Sequence, residues 1–162
     1  MNELRYKGYA IVMQEIPDEI TLALNVCGCP YKCKDCHSKF LWENDGDILD
    51  LNELKKLLDR YGQHITCVCF MGGDWCPSAL TELLVLIKTF NLRTAIYSGS
   101  DSKETFEKLK KLKFDYIKIG SYKIEKGGLN SLKTNQRLYE AVFQDSSLNY
   151  VDITSKFWRL RF

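Results

Sequence analysis

Segments with the spacing of β-strands alternate with segments with the spacing of α-helices along most of this chain. Strands are predicted over residues 19–26, 65–70, 93–97 and 116–119. Helices are predicted over 51–61 with Asp50 as N-cap, from Pro77 onward, and around Phe106, Leu109 and Leu112 with Ser100 or Asp101 as cap. This alternation is typical of right-handed βαβ units, so we expect a parallel sheet with a site in the loops after the strands.

The length of the chain limits how far the alternation can extend. A complete (β/α)₈ barrel needs about 200–250 residues, whereas this chain has 162. The residues therefore predict a partial, laterally open barrel or an open twisted sheet. Beyond Gly127, only residues 136–143 and 150–154 could form further strands. No linker or repeat divides the sequence, and one domain is expected over 1–162.

Composition and charge exclude several classes of protein. The 23 Lys and Arg residues nearly balance 21 Asp and Glu residues, which removes the electrostatic basis for nonspecific nucleic-acid binding. No apolar run reaches the ~18–20 residues that span a bilayer, and no export signal is visible near the N-terminus. A cytoplasmic protein is therefore expected. Thiols stay reduced in that compartment, so the seven cysteines are predicted to be metal ligands or plain thiols.

Three of the cysteines are closely spaced in the loop after the first predicted strand. Cys29, Cys33 and Cys36 have three and then two residues between them. Three thiolates can bind three corners of a [4Fe-4S] cluster, which normally takes four cysteines, and leave one iron open to a small molecule. A structural zinc site with Cys27 or His37 as the fourth ligand is the alternative. Of the other cysteines, Cys67, Cys69 and Cys76 are assigned no role.

A second motif follows the next predicted strand, where Met71 precedes Gly72, Gly73 and Asp74. The two motifs together resemble the radical S-adenosylmethionine enzymes. That resemblance implies a partial, laterally open (β/α) barrel, a site-differentiated [4Fe-4S] cluster on the three cysteines, and S-adenosylmethionine as second cofactor. It also implies that Gly72, Gly73 and Asp74 hold the amino end of the methionyl group.

Further residues resemble one branch of that family, the activating enzymes of glycyl-radical proteins, above all those that serve anaerobic ribonucleoside-triphosphate reductase. The resemblance covers roughly residues 20–139. It is carried by His37 after the third cysteine, by Phe40-Leu41-Trp42, and by segments 115–120 and 126–137. It implies an oxidoreductase that cleaves S-adenosylmethionine with an electron from flavodoxin or ferredoxin. The resulting radical would take a hydrogen from a glycine of the partner reductase.

Four further positions around the motifs are candidates for the site. Asp35 stands where the family commonly has an aromatic residue, and the resemblance implies that Asp35 and His37 line the adenosyl group beside Cys36. Ser98, after the third predicted strand, matches a position that contacts the ribose or carboxylate, although Ser-Gly also simply marks turns. Lys118 could either reach the site or be solvated.

Other functions remain open from the residues alone. The chain could activate a different glycyl-radical enzyme, or act on a small molecule as short radical enzymes of deazapurine biosynthesis do. Outside these enzymes, it could be a zinc-stabilised binding module.

Overall fold

The computed structural model describes residues 3–159 and shows one eight-stranded mixed sheet with three α-helices. The strands are β1 (Arg5–Val12), β2 (Thr21–Val26), β3 (Asp47–Ile48), β4 (Cys67–Met71), β5 (Arg93–Tyr97), β6 (Tyr116–Ile119), β7 (Arg137–Gln144) and β8 (Ser147–Asp152). The helices are α1 (Leu51–Tyr61), α2 (Pro77–Thr89) and α3 (Lys103–Lys111), with short 3₁₀ turns at Lys39–Leu41 and Thr154–Trp158. The single-domain prediction for 1–162 extends at both ends beyond the described residues.

The predicted partial (β/α) barrel of the radical S-adenosylmethionine type is wrong. The strand order is β3-β1-β2-β4-β5-β6-β7-β8, and only the central β2, β4, β5 and β6 run parallel. An antiparallel β1–β3 pair extends one side of this centre, and an antiparallel β7–β8 hairpin extends the other. Three helices cannot surround eight strands, so the result is a mixed sheet with edges at β3 and β8.

The sheet separates two hydrophobic clusters. Along β4, Val68 and Phe70 belong to the cluster that includes the helices, whereas Cys67 and Cys69 belong to the cluster on the opposite face. This alternation is the period of two expected of a strand buried on both faces. Cys67 and Cys69 are therefore packed in the interior of the sheet.

The helix boundaries follow local capping. The predicted cap of α1 is confirmed, since the Asp50 carboxylate accepts a hydrogen bond from the Glu53 amide at 2.9 Å. The cap of α3 is Ser102, whose hydroxyl accepts from the Thr105 amide, and not Ser100 or Asp101. Within residues 3–159, no helix is long and apolar enough to cross a membrane.

Replacing Asp50 by Ala is expected to lower the free energy of unfolding by about 1 kcal/mol, because an exposed amide at the start of α1 loses its capping acceptor. Urea denaturation under identical anaerobic conditions measures the change. Glu82→Ala, at an exposed position in the middle of α2, is the control and should change stability by less than about 0.5 kcal/mol. An Asp50 variant as stable as the wild type would contradict the capping role.

Candidate metal centre

The loops after the four parallel strands meet at the carboxyl-terminal end of these strands. Parallel strands bring their carboxyl ends to the same side, where open α/β sheets generally bind ligands. The cysteine loop follows β2, Gly72 and Asp74 follow β4, and Ser98 follows β5. The sequence motifs therefore come together because the central strands are parallel.

A cavity of about 190 Å³ lies among these loops. Its lining includes six of the predicted site residues: Cys29, Cys33, Cys36, Gly72, Asp74 and Ser98. Lys118 and Tyr31 also line it. The structure thus places the three proposed metal ligands and Asp74 around the same cavity.

Three other predicted site residues lie outside the lining of this cavity. Gly73 is buried, and an added Cβ would lie 3.4 Å from a methyl carbon of Leu4. Asp35 lines a neighbouring cavity of about 670 Å³, and His37 lines another of about 920 Å³. Their roles toward S-adenosylmethionine stay predictions.

The turn after β4 requires glycine at two successive positions. Gly72 and Gly73 have φ angles of +117° and +101°, in a region that side chains with a Cβ rarely adopt. This backbone turns the chain directly from the end of β4 into Asp74. The glycine pair therefore determines where the Asp74 carboxylate enters the cavity.

The cysteine loop supplies a donor set that suits an iron–sulfur cluster. Thiolates are the usual ligands of such clusters, and Cys29, Cys33 and Cys36 are all partly exposed to the cavity. Burial raises the pKa of the Cys29 thiol, while the backbone amides of Tyr31 and Lys32 oppose that rise. The Cys36 sulfur accepts a hydrogen bond from the Ser38 amide at 3.3 Å. The backbone amides beside the Cys29 sulfur would stabilise its thiolate form.

The same residues fit a cluster better than a single metal ion. Among residues 3–159, no three His, Cys, Asp or Glu side chains converge closely enough to hold one ion. Neither of the two candidates for a fourth zinc ligand lines the cysteine cavity. Cys27 is buried beside Gly46, and the His37 ring lies 4.8 Å from the ring of Tyr122. A cluster needs no such convergence, because each cysteine binds a different iron.

The carboxylate of Asp74 is held by one of its two oxygens. Oδ2 accepts hydrogen bonds from the hydroxyls of Tyr31 and Ser98, the latter at 3.0 Å. Oδ1 is buried and has no hydrogen-bond partner among the described residues. Burial raises the pKa of Asp74, and the bonds from Tyr31 and Ser98 partly oppose the rise. A buried oxygen without a donor costs about 1–3 kcal/mol, which a ligand with an N–H group would offset.

A buried cation lies in the same cavity. The Lys118 ammonium donates to the carbonyl oxygens of Ser98 at 3.1 Å and Gly120 at 2.7 Å. Burial lowers the pKa of Lys118 to about 8, against the opposing influence of nearby Cys33, Asp101 and Asp74. The side chain therefore remains largely protonated at pH 7 and can attract a ligand carboxylate.

Tyr31 is the site residue that sequence reasoning missed. It stands between Cys29 and Cys33, and its hydroxyl donates to Asp74. Burial and that hydrogen bond raise the pKa of Tyr31 to about 12, so the hydroxyl keeps its proton. The only sequence signal was its place inside the cysteine motif, which gives no information on where the ring points.

The fold and the site define an α/β protein whose three-cysteine loop, after a parallel strand, has a donor set that suits an iron–sulfur cluster. Residues 20–125, about two thirds of the chain, match the family described as a 4Fe-4S single cluster domain, and the chain belongs to that family. The matched range contains all three cysteines, Asp74 and Ser98. This family match confirms the prediction of an iron–sulfur cofactor. No curated protein and no solved structure matches the chain.

Proposed function

We propose that this protein is a radical S-adenosylmethionine enzyme that generates a glycyl radical on anaerobic ribonucleoside-triphosphate reductase. The observation that carries the proposal is the buried, partnerless Oδ1 of Asp74, a residue that lines the same cavity as the three cysteines. An iron–sulfur protein that only transfers electrons has no need of a buried acceptor beside its cluster.

In this proposal, the chain's own residues would bind both the amino and the carboxylate end of the methionyl group. Asp74 Oδ1 would accept a hydrogen bond from the amino group, and charge assistance would strengthen that bond. The Lys118 ammonium would attract the carboxylate. Cys29, Cys33 and Cys36 would hold the cluster. When bound, a [4Fe-4S] cluster with an open iron supplies the electron that cleaves the sulfonium of S-adenosylmethionine to methionine and a 5′-deoxyadenosyl radical.

The size of the neighbouring cavity, about 920 Å³, supports the proposal that the substrate is bulky. It meets the cysteine cavity at Tyr97, Tyr122 and Gln136, which line both spaces. The larger cavity would admit a loop of the partner reductase, from which the radical takes a hydrogen at a glycine Cα. The products are 5′-deoxyadenosine and a glycyl radical on the partner, and flavodoxin or ferredoxin would supply the electron consumed.

The test is anaerobic reconstitution with iron and sulfide, followed by EPR of the reduced protein with and without S-adenosylmethionine. We expect a reduced cluster signal that changes when S-adenosylmethionine is added, and a glycyl-radical doublet once the reductase is present. A cluster signal that S-adenosylmethionine leaves unchanged would overturn the proposal. A changed signal with 5′-deoxyadenosine formed but no doublet on the reductase would reject the reductase as partner.

A further inference from the structure

The side chain of Tyr31 connects the cysteine loop to the loops after β4 and β5. Its hydroxyl donates to Asp74, and its ring lies edge-on to Trp75 with 6.5 Å between ring centroids. The ring also packs against Gly99, where an added Cβ would lie 3.2 Å from a ring carbon. One residue of the cysteine loop thus contacts both neighbouring loops of the site.

These contacts determine which oxygen of the Asp74 carboxylate remains available to accept a hydrogen bond from a ligand. Two donors, Tyr31 and Ser98, bind the same Oδ2, and a carboxylate held this way cannot exchange its oxygens without breaking both bonds. Without the Tyr31 hydroxyl, Ser98 alone would remain, and a single hydrogen bond allows the carboxylate to turn. The hydroxyl therefore controls both the position of Asp74 and its attachment to the cysteine loop.

We propose that Tyr31 is a positioning residue that holds the Asp74 carboxylate and the cysteine loop in one arrangement and keeps Oδ1 directed to the ligand. The ligand in this inference, the amino group of S-adenosylmethionine, rests on the proposed function. The link between Tyr31 and the loop of the metal ligands does not depend on that ligand.

The absence of a Cβ at Gly99 leaves the room that the Tyr31 ring occupies. Gly99 is not among the glycines with positive φ in the described chain, so its backbone would accept alanine. A methyl group there would press on the ring from 3.2 Å. Gly99→Ala should therefore reproduce part of the effect of losing the Tyr31 hydroxyl, although the hydroxyl itself is kept.

The test compares Tyr31→Phe with the wild type as reconstituted holoproteins. Binding of S-adenosylmethionine is measured by titration of the EPR signal, and iron release is measured by transfer to a ferrous chelator. We expect unchanged iron and sulfide content, a Kd for S-adenosylmethionine raised about tenfold, and iron release accelerated several-fold. In the Asp74→Ala background, Tyr31→Phe should raise the Kd no further, since no carboxylate remains to be positioned.

Tyr150→Phe is the matched control. Its hydroxyl also donates a hydrogen bond, to the Phe114 carbonyl at 2.7 Å, and its ring lies edge-on to Phe106 of α3. This variant should leave the Kd and the iron release unchanged. An unchanged Kd in Tyr31→Phe, or a full additional loss in the Asp74→Ala background, would overturn the inference.

The two proposals can fail separately. If the wild-type holoprotein does not bind S-adenosylmethionine, the proposed function fails. The iron-release comparison then decides on Tyr31 alone: faster release in Tyr31→Phe than in Tyr150→Phe supports the link to the cysteine loop, and equal rates refute it.

Discussion

Replacing Cys29, Cys33 or Cys36 by Ala is expected to reduce the iron and sulfide content after reconstitution to about a tenth of the wild-type value or less. The reason is that only three cysteines line the cavity, and two thiolates cannot retain a cluster that normally takes four. Iron and sulfide assays, together with the visible absorbance of the cluster, measure the loss. Cleavage of S-adenosylmethionine should disappear with the cluster in each variant.

Cys67→Ala is the matched control for these variants. Cys67 is fully buried in β4, within the hydrophobic cluster on the sheet face opposite the helices. Burial raises its pKa well above that of an ordinary thiol, so Cys67 remains a neutral packing group. The variant should keep its iron and sulfide. Loss of the cluster from Cys67→Ala to the same degree would contradict the assignment of the three ligands.

The central part of the fold could be predicted from the sequence because local signals there are strong. Strand β4 is a short apolar run, and α1 has both an N-cap and a helical apolar period. Such patterns arise wherever a strand is buried on both faces or a helix on one. The sequence therefore indicated the four parallel strands and the order of the helices between them.

The edges of the sheet could not be predicted in the same way. β1 is exposed at four of its eight positions, and its register shifts between Tyr6 and Tyr9, around Gly8 with φ +79°. β8 is exposed at nearly every position. A strand without a buried face lacks the alternation that marks it in sequence. Because β1 was missed and β8 was misplaced, the parallel centre was extended incorrectly into a partial barrel.

For the site, too, the sequence indicated which residues come together but not the direction of each side chain. The family resemblance predicted the cysteines, Gly72, Asp74 and Ser98 as one site, and they come together because each follows a parallel strand. The cysteine loop, however, contains Lys32 with φ +44°, and a local turn of this kind is not encoded in motif spacing. It is within this loop that Tyr31 contacts Asp74, while Asp35 and His37 line the two neighbouring cavities.

Replacing Asp74 by Ala is expected to weaken binding of S-adenosylmethionine about 10- to 100-fold while the iron content stays at the wild-type level. Under the proposed function, the variant removes a charged acceptor for the amino group, and hydrogen bonds to charged groups contribute about 1.5–3 kcal/mol. Titration of the EPR signal with S-adenosylmethionine measures the Kd, and iron analysis of the same sample measures the cluster. Asp45→Ala removes an exposed carboxylate that pairs with Lys7 and should leave the Kd unchanged.

The pH dependence of S-adenosylmethionine binding is a second test of the role of Asp74. Burial raises the pKa of Asp74, so its carboxylate is neutralised at a higher pH than an ordinary aspartate. The ionised form accepts the charged hydrogen bond, and protonation removes the negative charge. Affinity of the wild type should therefore fall as the pH is lowered through this raised pKa.

Asp74→Asn separates the charge of this residue from its shape. The variant keeps the size of the side chain and one carbonyl acceptor but cannot ionise in this range. Its affinity should be low at neutral pH and should lose the part of the pH dependence that Asp74 causes in the wild type. If Asp74→Asn retained both the wild-type affinity and the wild-type pH profile, another group would have to bind the amino end of the ligand. The partnerless oxygen of Asp74 would then no longer support the proposed function.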